Sequence, residues 1–151
     1  MRVRVIAVGT RMPAWVDSLF TDYTRRLGHA VPVTLKELAI GQRGGRAKAS
    51  EGQRMLAELR REEFVVALDE HGEQLSTREL ASWLAARQQE GRDLAIVIGG
   101  PDGLAPEVLA RSDFIWSLSK LTLPHALARV LLAEQLYRAH TLLSGHPYHR
   151  E

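Results

Sequence analysis

Five short segments, most of them almost uninterrupted apolar runs, constrain the fold of this chain more than any other feature. They span residues 3–8, 31–38, 64–68, 94–98 and 114–118, and most are rich in β-branched residues. A strand that is apolar at consecutive positions is buried on both faces, as strands are in parallel sheets covered by helices. The five segments therefore predict buried strands.

Helical patterns separate these predicted strands. They cover about residues 13–28, 47–61, 77–91, 106–110 and 124–143, and a glycine-rich segment, 41–46, predicts a mobile loop. Ser76 or Thr77 is expected to cap the third helix, with Glu79 in its first turn as a capping-box or dipole partner. Alternating strands and helices predict an α/β protein whose mostly parallel sheet has helices on both faces. Because no repeat or linker interrupts the pattern, we expect one domain over residues 1–151.

The last predicted helix carries two apolar stripes. One consists of Leu127, Val130 and Leu131, and the other, rotated around the helix, of Leu132, Leu136, Ala139 and Leu143. A helix that lies on a sheet needs only one stripe. Two stripes predict either burial between the sheet and a partner chain or a wide contact with the sheet alone. The sequence leaves both arrangements open.

Composition excludes several classes of protein. Twenty basic and eighteen acidic residues give a net charge of only +2. The sequence has no polybasic tail, so its charge alone does not indicate a nucleic-acid partner. Cysteine is absent, and His140, His146 and His149 lack a typical set of zinc ligands, so we expect no metal. No apolar stretch is long enough to span a membrane, and the first residues do not resemble a signal peptide, so we expect a cytoplasmic protein.

A glycine turn follows the most apolar predicted strand, at residues 99–103. In open α/β sheets, ligands bind beyond the carboxyl ends of the strands, where glycines let the backbone approach them closely. The turn is not a dinucleotide fingerprint, because Pro101 occupies the place of its second glycine, and no phosphate-binding Gly-Lys-Ser/Thr follows. A nicotinamide-dependent oxidoreductase is therefore unsupported. A nucleoside ligand and a purely structural tight turn fit these residues equally well.

The segment 118–125 lies between the last predicted strand and the last predicted helix. It combines apolar residues with small hydroxyls, which suits the faces and edge of an adenine ring. The alternative is a well-packed loop in which Thr122 caps the helix and Pro124 lies just inside it. The two interpretations are compatible, and His125 is interpreted as a structural residue at the start of the helix.

The C-terminal tail holds an unusual density of reactive side chains. His146, Tyr148, His149 and Arg150 fall within five residues. Imidazole, phenol and guanidinium groups together can stack on a base, hold a phosphate and move a proton. The tail is therefore a candidate part of an active site that acts on nucleic acid.

Six motifs in this order resemble the ribosomal large subunit methyltransferase H family, which belongs to the SPOUT class. They are AVGT at 7–10, IGGPDGL at 98–104, LSKLTLPH at 118–125, RVL at 129–131, EQLYRA at 134–139 and HPYHR at 146–150. The resemblance extends from the first predicted strand to the tail. It implies a homodimer of small α/β subunits, each with a C-terminal trefoil knot.

The resemblance also implies a cofactor and the residues that bind it. S-adenosylmethionine is expected to contact Leu68, Gly99, Gly100, Leu118, Ser119, Lys120, Leu121, Thr122 and Leu123. These residues fall in the turns that the sequence pattern, taken by itself, marks as suited to a ligand. No metal is needed, because the sulfonium methyl group is already electrophilic.

The implied reaction is methylation of N3 of a pseudouridine in large-subunit rRNA within the assembled ribosome. His149 is the leading candidate for the base that accepts the N3 proton. Arg150 or Arg138 is expected to stabilise the resulting anion or hold a phosphate, and Tyr148 to stack on the target base. The tail is expected to complete the site of the neighbouring subunit. The alternatives are a SPOUT methyltransferase acting on tRNA and a non-catalytic ribosome-binding or assembly factor.

Overall fold

A computed structural model describes residues 1–41 and 46–150 of the chain. In this part, strands and helices alternate as β1 (Val3–Val8), α1 (Ala14–Leu27), β2 (Val33–Leu38), α2 (Ala47–Glu58), β3 (Phe64–Gln74), α3 (Thr77–Glu90), β4 (Leu94–Ile98), α4 (Pro106–Arg111), β5 (Phe114–Ser117) and α5 (His125–Ser144). Most of the predicted loop at 41–46 lies outside the described residues. No helix among the described residues has the length and apolar character needed to cross a bilayer.

The five strands form one sheet in the order β2-β1-β4-β3-β5, and every pairing between them is parallel. Val5 lies opposite Leu35 of β2 on one side and Ile96 of β4 on the other. Parallel strands end at the same edge of a sheet, so the turns that follow β1, β3, β4 and β5 lie near one another. The predicted parallel α/β architecture is confirmed.

Helices cover both faces of the sheet. Along β1, Val5 belongs to a core shared with α1, α3 and α5, whereas Ile6 belongs to a second core shared with α2 and α4. Both side chains are fully buried. Burial on both faces explains why the strands are apolar at consecutive positions.

β3 does not end at Leu68 as predicted but continues to Gln74. Its pairing with β5 is interrupted by a bulge, so that Trp116 lies opposite both Leu68 and Glu73. Gly72 makes the pairing of Glu73 with Trp116 possible, because the β5 backbone comes so close that a Cβ atom on residue 72 would lie 2.7 Å from the Ile115 carbonyl carbon. The polar residues 69–71 thus form a bulge within the strand, here called the excursion of β3, and do not end it.

The start of α5 also differs from the prediction. Thr122 is not its cap: the helix begins at His125, and Pro124 occupies the N-cap position without a capping side chain. The Thr122 hydroxyl instead donates to Glu70 Oε2 at 3.1 Å, in the excursion of β3. The proline ring carries no hydrogen-bond acceptor, so the first N–H groups of the helix have no side-chain cap.

Other boundaries differ by a few residues. α2 ends at Glu58 and not near residue 61, because the Glu63 carboxylate accepts the Arg60 N–H at 2.9 Å and turns the chain. β2 begins two residues later than predicted, and β5 ends at Ser117. The capping box of α3 is confirmed: Ser76 Oγ accepts from the Glu79 N–H at 3.1 Å, and Glu79 Oε2 accepts from the Ser76 N–H at 2.6 Å.

The two stripes of α5 have different surroundings. Leu132, Leu136 and Ala139 are buried in the core, whereas Leu143, predicted in the same stripe, is 43% exposed. In the other stripe, Leu127 is 40% exposed and Leu131 is 38% exposed. A wide contact with the sheet alone is therefore wrong for the Leu127–Leu131 stripe. Within one chain, this stripe faces solvent.

Candidate active site

A cleft of about 590 Å³ opens at the edge of the sheet where β4, β5 and the regular part of β3, up to Leu68, end. Eight of the nine residues predicted to bind a cofactor line it: Leu68, Gly99, Gly100, Leu118, Ser119, Leu121, Thr122 and Leu123. The ninth, Lys120, is exposed and lies outside the lining. Three segments that are distant in sequence are thus brought together, because the parallel strands that carry them end at the same edge.

The glycine turn forms the floor of this cleft and is tightly closed. The Gly103 N–H donates to the Gly100 carbonyl at 3.0 Å, and Gly103 has a φ of +81°. A Cβ atom on Gly99 would lie 2.6 Å from the Gly103 carbonyl carbon. Because backbone and not a flexible side chain occupies that space, the turn requires glycine at residue 99.

A buried carboxylate supports the turn from behind. Glu51, on α2, is only 4% exposed, and its Oε2 accepts the Gly41 N–H at 2.9 Å. Its Oε1 would lie 2.8 Å from a Cβ atom on Gly100. Sequence reasoning missed this residue, although an acidic residue on the buried side of an amphipathic helix is a signal worth noting.

The segment after β5 is shaped by its own hydroxyl groups. Ser117 Oγ donates to the Ser119 carbonyl at 2.8 Å, and Ser119 Oγ accepts the Leu121 N–H at 2.9 Å. Thr122 is tied to the excursion of β3 through Glu70. These bonds hold the segment in a turn at the cleft, while the Leu121 side chain remains 73% exposed.

Charged residues line the rim of the cleft. Among the described residues that line the cleft, Asp69, Glu70 and Asp102 carry carboxylates, and Lys48 carries the one ammonium group. His71 also lines the rim, is 85% exposed at its side chain, and has its Nδ1 3.1 Å from Asp69 Oδ1. An excess of carboxylates favours a ligand that carries positive charge.

Beside the cleft, α5 carries a guanidinium group that sequence reasoning also did not single out. Arg129 is fully buried, and its Nη1 donates to Glu37 Oε2 at 2.6 Å. His125, one helical turn earlier, lines the cleft. Burial and the positive charge of Arg129 lower the pKa of His125, so its imidazole is neutral near neutral pH.

The tail residues form a second cluster, against the C-terminal half of α5. The Tyr148 ring packs on Tyr137 at 4.7 Å between centroids, and its hydroxyl donates to Glu134 Oε1 at 3.3 Å. The Arg138 guanidinium lies 4.9 Å from the Tyr148 ring centre, and its Nη1 is 3.3 Å from His149 Nδ1. Burial is the main cause that raises the pKa of Tyr148, so its phenol stays protonated.

Three of the four predicted catalytic residues thus lie together, and Arg150 is exposed beside them. This cluster does not lie at the cleft of the same chain. His125, at the cleft, and Arg138 are thirteen positions apart on one continuous helix, which at about 1.5 Å per residue separates them by roughly 20 Å. Among the described residues, no three His, Asp or Glu side chains are grouped to hold a metal ion.

Comparison with known proteins places the chain in a family. The family model described as "Predicted SPOUT methyltransferase" matches residues 1–149. The chain is 53% identical to "Ribosomal RNA large subunit methyltransferase H" of Chromohalobacter salexigens, over 99% of this chain and 100% of that protein. It is 50% identical to the protein of the same description from Thioalkalivibrio sulfidiphilus, over the full length of both.

A solved structure, that of a probable methylase family protein from Haemophilus influenzae, shares the fold. It superposes with a TM-score of 0.58 at 16% identity, over 99% of this chain and 70% of that one. The full-length identity near 50% and the match to the family model are decisive. The chain belongs to the ribosomal RNA large subunit methyltransferase H family of SPOUT methyltransferases.

Proposed function

We propose that this protein, a single domain of residues 1–151, transfers a methyl group from S-adenosylmethionine to N3 of a pseudouridine in large-subunit rRNA, acting on the assembled ribosome in the cytoplasm. The observation that carries the proposal is the cleft at the edge of the sheet where β4, β5 and the regular part of β3 end. It gathers the glycine turn and the segment after β5 at one place in a chain of this family.

The residues of the cleft fit this cofactor. A volume of about 590 Å³ lies within the range of sites for ligands of this size. Leucines and glycine backbone suit an adenosine, since apolar side chains pack on the ring and main-chain groups bond its edge. The rim carboxylates of Asp69, Glu70 and Asp102 are opposite in charge to a sulfonium and to an α-ammonium group. When bound, the cofactor supplies an electrophilic methyl group.

The protein then has to align N3 of the target base with that methyl group and to accept the N3 proton. N3 of pseudouridine is a weakly acidic imide, so a neutral imidazole is a suitable base. We assign this role to His149, whose Nδ1 accepts the proton once the substrate displaces Arg138 Nη1, 3.3 Å away, from this nitrogen. Arg138, held by Glu134 before the substrate binds, then stabilises the developing anion. Arg150 holds a phosphate, and Tyr148, which keeps its proton, stacks on the base.

A second copy of the chain is required, because the tail and the cleft are about 20 Å apart along α5. An apolar patch marks the surface where this copy would bind. Trp15 and Leu19 on α1 are 47% and 39% exposed and lie one helical turn apart. Leu127 and Leu131 on α5 are 40% and 38% exposed and also lie one helical turn apart. We propose that the homodimer buries this four-residue patch.

α1 and α5 run side by side in the same direction. Near their starts, Met12, just before α1, and Arg129 of α5 both lie beside Gly9. Farther along, Tyr23 of α1 packs on Tyr137 of α5, with ring centres 6.0 Å apart. Trp15 and Leu19 therefore lie at the level of Leu127 and Leu131. The tail cluster adjoins the same pair of helices, so a copy bound here would carry its tail toward the cleft of its partner. The trefoil knot stays a prediction.

Leu131→Glu tests the interface. We expect the variant to be monomeric by sedimentation and to lose methyl transfer. Burying an unpaired carboxylate in an apolar contact costs at least about 2 kcal/mol. Ala86→Glu places the same charge on an exposed position of α3 and should leave the dimer intact. A Leu131→Glu variant that remains dimeric would contradict the proposed interface.

The function itself is tested in two steps. Titration calorimetry with S-adenosylmethionine measures cofactor binding, and transfer of a tritiated methyl group to ribosomes that lack the modification identifies the substrate. We expect binding, and label in the large-subunit rRNA at a pseudouridine. Label in free tRNA would favour a tRNA methyltransferase. Ribosome binding without cofactor binding would favour an assembly factor.

A further inference from the structure

Arg129 is the most deeply buried charge in the described part of the chain, and it connects three strand ends. Its side chain is 0% exposed. Its Nη2 donates to the Gly9 carbonyl, after β1, at 2.8 Å, and its Nη1 to Glu37, near the end of β2, at 2.6 Å. A guanidinium group has its donors in a fixed fork, so these two bonds fix the direction of the third.

The third donor determines the state of His125. Arg129 Nε lies 3.3 Å from His125 Nε2, and a guanidinium N–H can only donate, so Nε2 accepts. A neutral imidazole that accepts at Nε2 carries its proton on Nδ1. The Gly99 backbone favours the protonated ring, as a carbonyl does when a ring N–H points at it. Because Nε2 already accepts from Arg129, the N–H that faces this carbonyl is Nδ1–H.

His125 therefore stands between a rigid anchor and the glycine turn. On one side the imidazole is oriented by Arg129, which is itself held by Gly9 and Glu37. On the other side the imidazole faces Gly99, the first residue of the turn after β4. Gly99 and His125 both line the cleft. The position of the Gly99 carbonyl thus depends on a side chain whose tautomer and orientation are fixed from behind.

We propose that His125 is a positioning residue of the cofactor site: as a neutral imidazole oriented by Arg129, it holds the Gly99 carbonyl in place and thereby sets the turn on which the cofactor rests. This inference rests on the proposed function, because it assigns a role within the same cleft. His125 takes no part in the chemistry of methyl transfer.

Protonation of His125 breaks this arrangement. A protonated ring would direct a second N–H at the Arg129 N–H and place two positive charges in contact. Glu37 on the far side of Arg129 only partly offsets this repulsion. Among the described residues, the other charged or titratable groups that line the cleft are Lys48, Asp69, Glu70, His71 and Asp102. Cofactor affinity should therefore be constant above the ordinary pKa of histidine and fall as the pH drops through the lowered pKa of His125.

The test measures the dissociation constant of S-adenosylmethionine by calorimetry between about pH 5 and pH 8. For the wild type we expect tight binding at neutral pH and a loss on the acid side. His125→Ala should bind roughly tenfold more weakly at neutral pH, since one hydrogen bond to the turn is lost, and should show little pH dependence. His125→Asn places an amide N–H where Nδ1–H was, and should recover most of the affinity without the acid-side loss.

His71→Ala is the matched control, because His71 lines the same cleft but is largely exposed. Whatever its own effect on affinity, this variant should keep the acid-side loss. Circular dichroism at each pH verifies that the variants are folded. If the wild type binds no S-adenosylmethionine at any pH, the proposed function fails. If it binds and His125→Ala matches it in affinity and pH profile, the positioning role alone is overturned.

Discussion

Replacing Gly99 with alanine should weaken S-adenosylmethionine binding by about a hundredfold, from the 1–3 kcal/mol typical of an overpacked site. The added Cβ atom would lie 2.6 Å from the Gly103 carbonyl carbon, 2.7 Å from its oxygen and 2.9 Å from the Leu104 nitrogen. All three are backbone atoms, so no side chain can rotate away to relieve the clash. The turn has to open, and the floor of the cleft moves with it.

Gly91→Ala is the matched control for this variant. Gly91 ends α3 with a φ of +72°, and an added Cβ atom would meet nothing within 4 Å. The substitution strains a left-handed residue and should cost about 1 kcal/mol of unfolding free energy, but it should not change the cofactor affinity. Calorimetry and thermal unfolding of both variants separate the two effects. Equal affinity for wild type and Gly99→Ala would contradict the placement of the cofactor.

A dimer made of two inactive chains should recover activity if the tail acts on the partner's cleft. In one chain Gly99→Ala disables the cleft and leaves the tail intact, and in the other His149→Ala disables the tail and leaves the cleft intact. A two-fold symmetric dimer has two sites. If each site combines the cleft of one chain with the tail of the other, one site of the mixed dimer consists of intact parts only.

The mixed dimer is obtained by co-expression with two different affinity tags and purification on both. We expect about half of the wild-type methyl transfer per dimer, since one of two equivalent sites is intact, whereas each variant alone should be nearly inactive. His149→Ala alone should retain cofactor affinity close to wild type, because His149 is assigned to the target nitrogen and not to the cofactor. A mixed dimer as inactive as its parents would show that the tail acts within its own chain.

The strands and most helix ends could be predicted from the sequence because they depend on local chemistry. Consecutive apolar residues identify buried strands, the Ser76–Glu79 pair caps α3, and glycine ends α1 and α3. The site could be predicted in part for the same reason, because the glycine turn has a local signature. Family resemblance then supplied the expected cofactor and the expected target, which no periodicity can specify.

Contacts between residues far apart in sequence were decided only by the tertiary structure. The ion pair of Glu37 and Arg129 joins residues 92 positions apart, and it gives a partner to an arginine that is fully buried on an apolar helix. The extension of β3 past Leu68 depends on the backbone of β5, which approaches Gly72. In the same way, the exposure of Leu127 and Leu131 depends on which side of α5 the sheet covers. Local sequence determines how each segment folds, whereas burial and charge pairing between distant segments depend on how those segments pack.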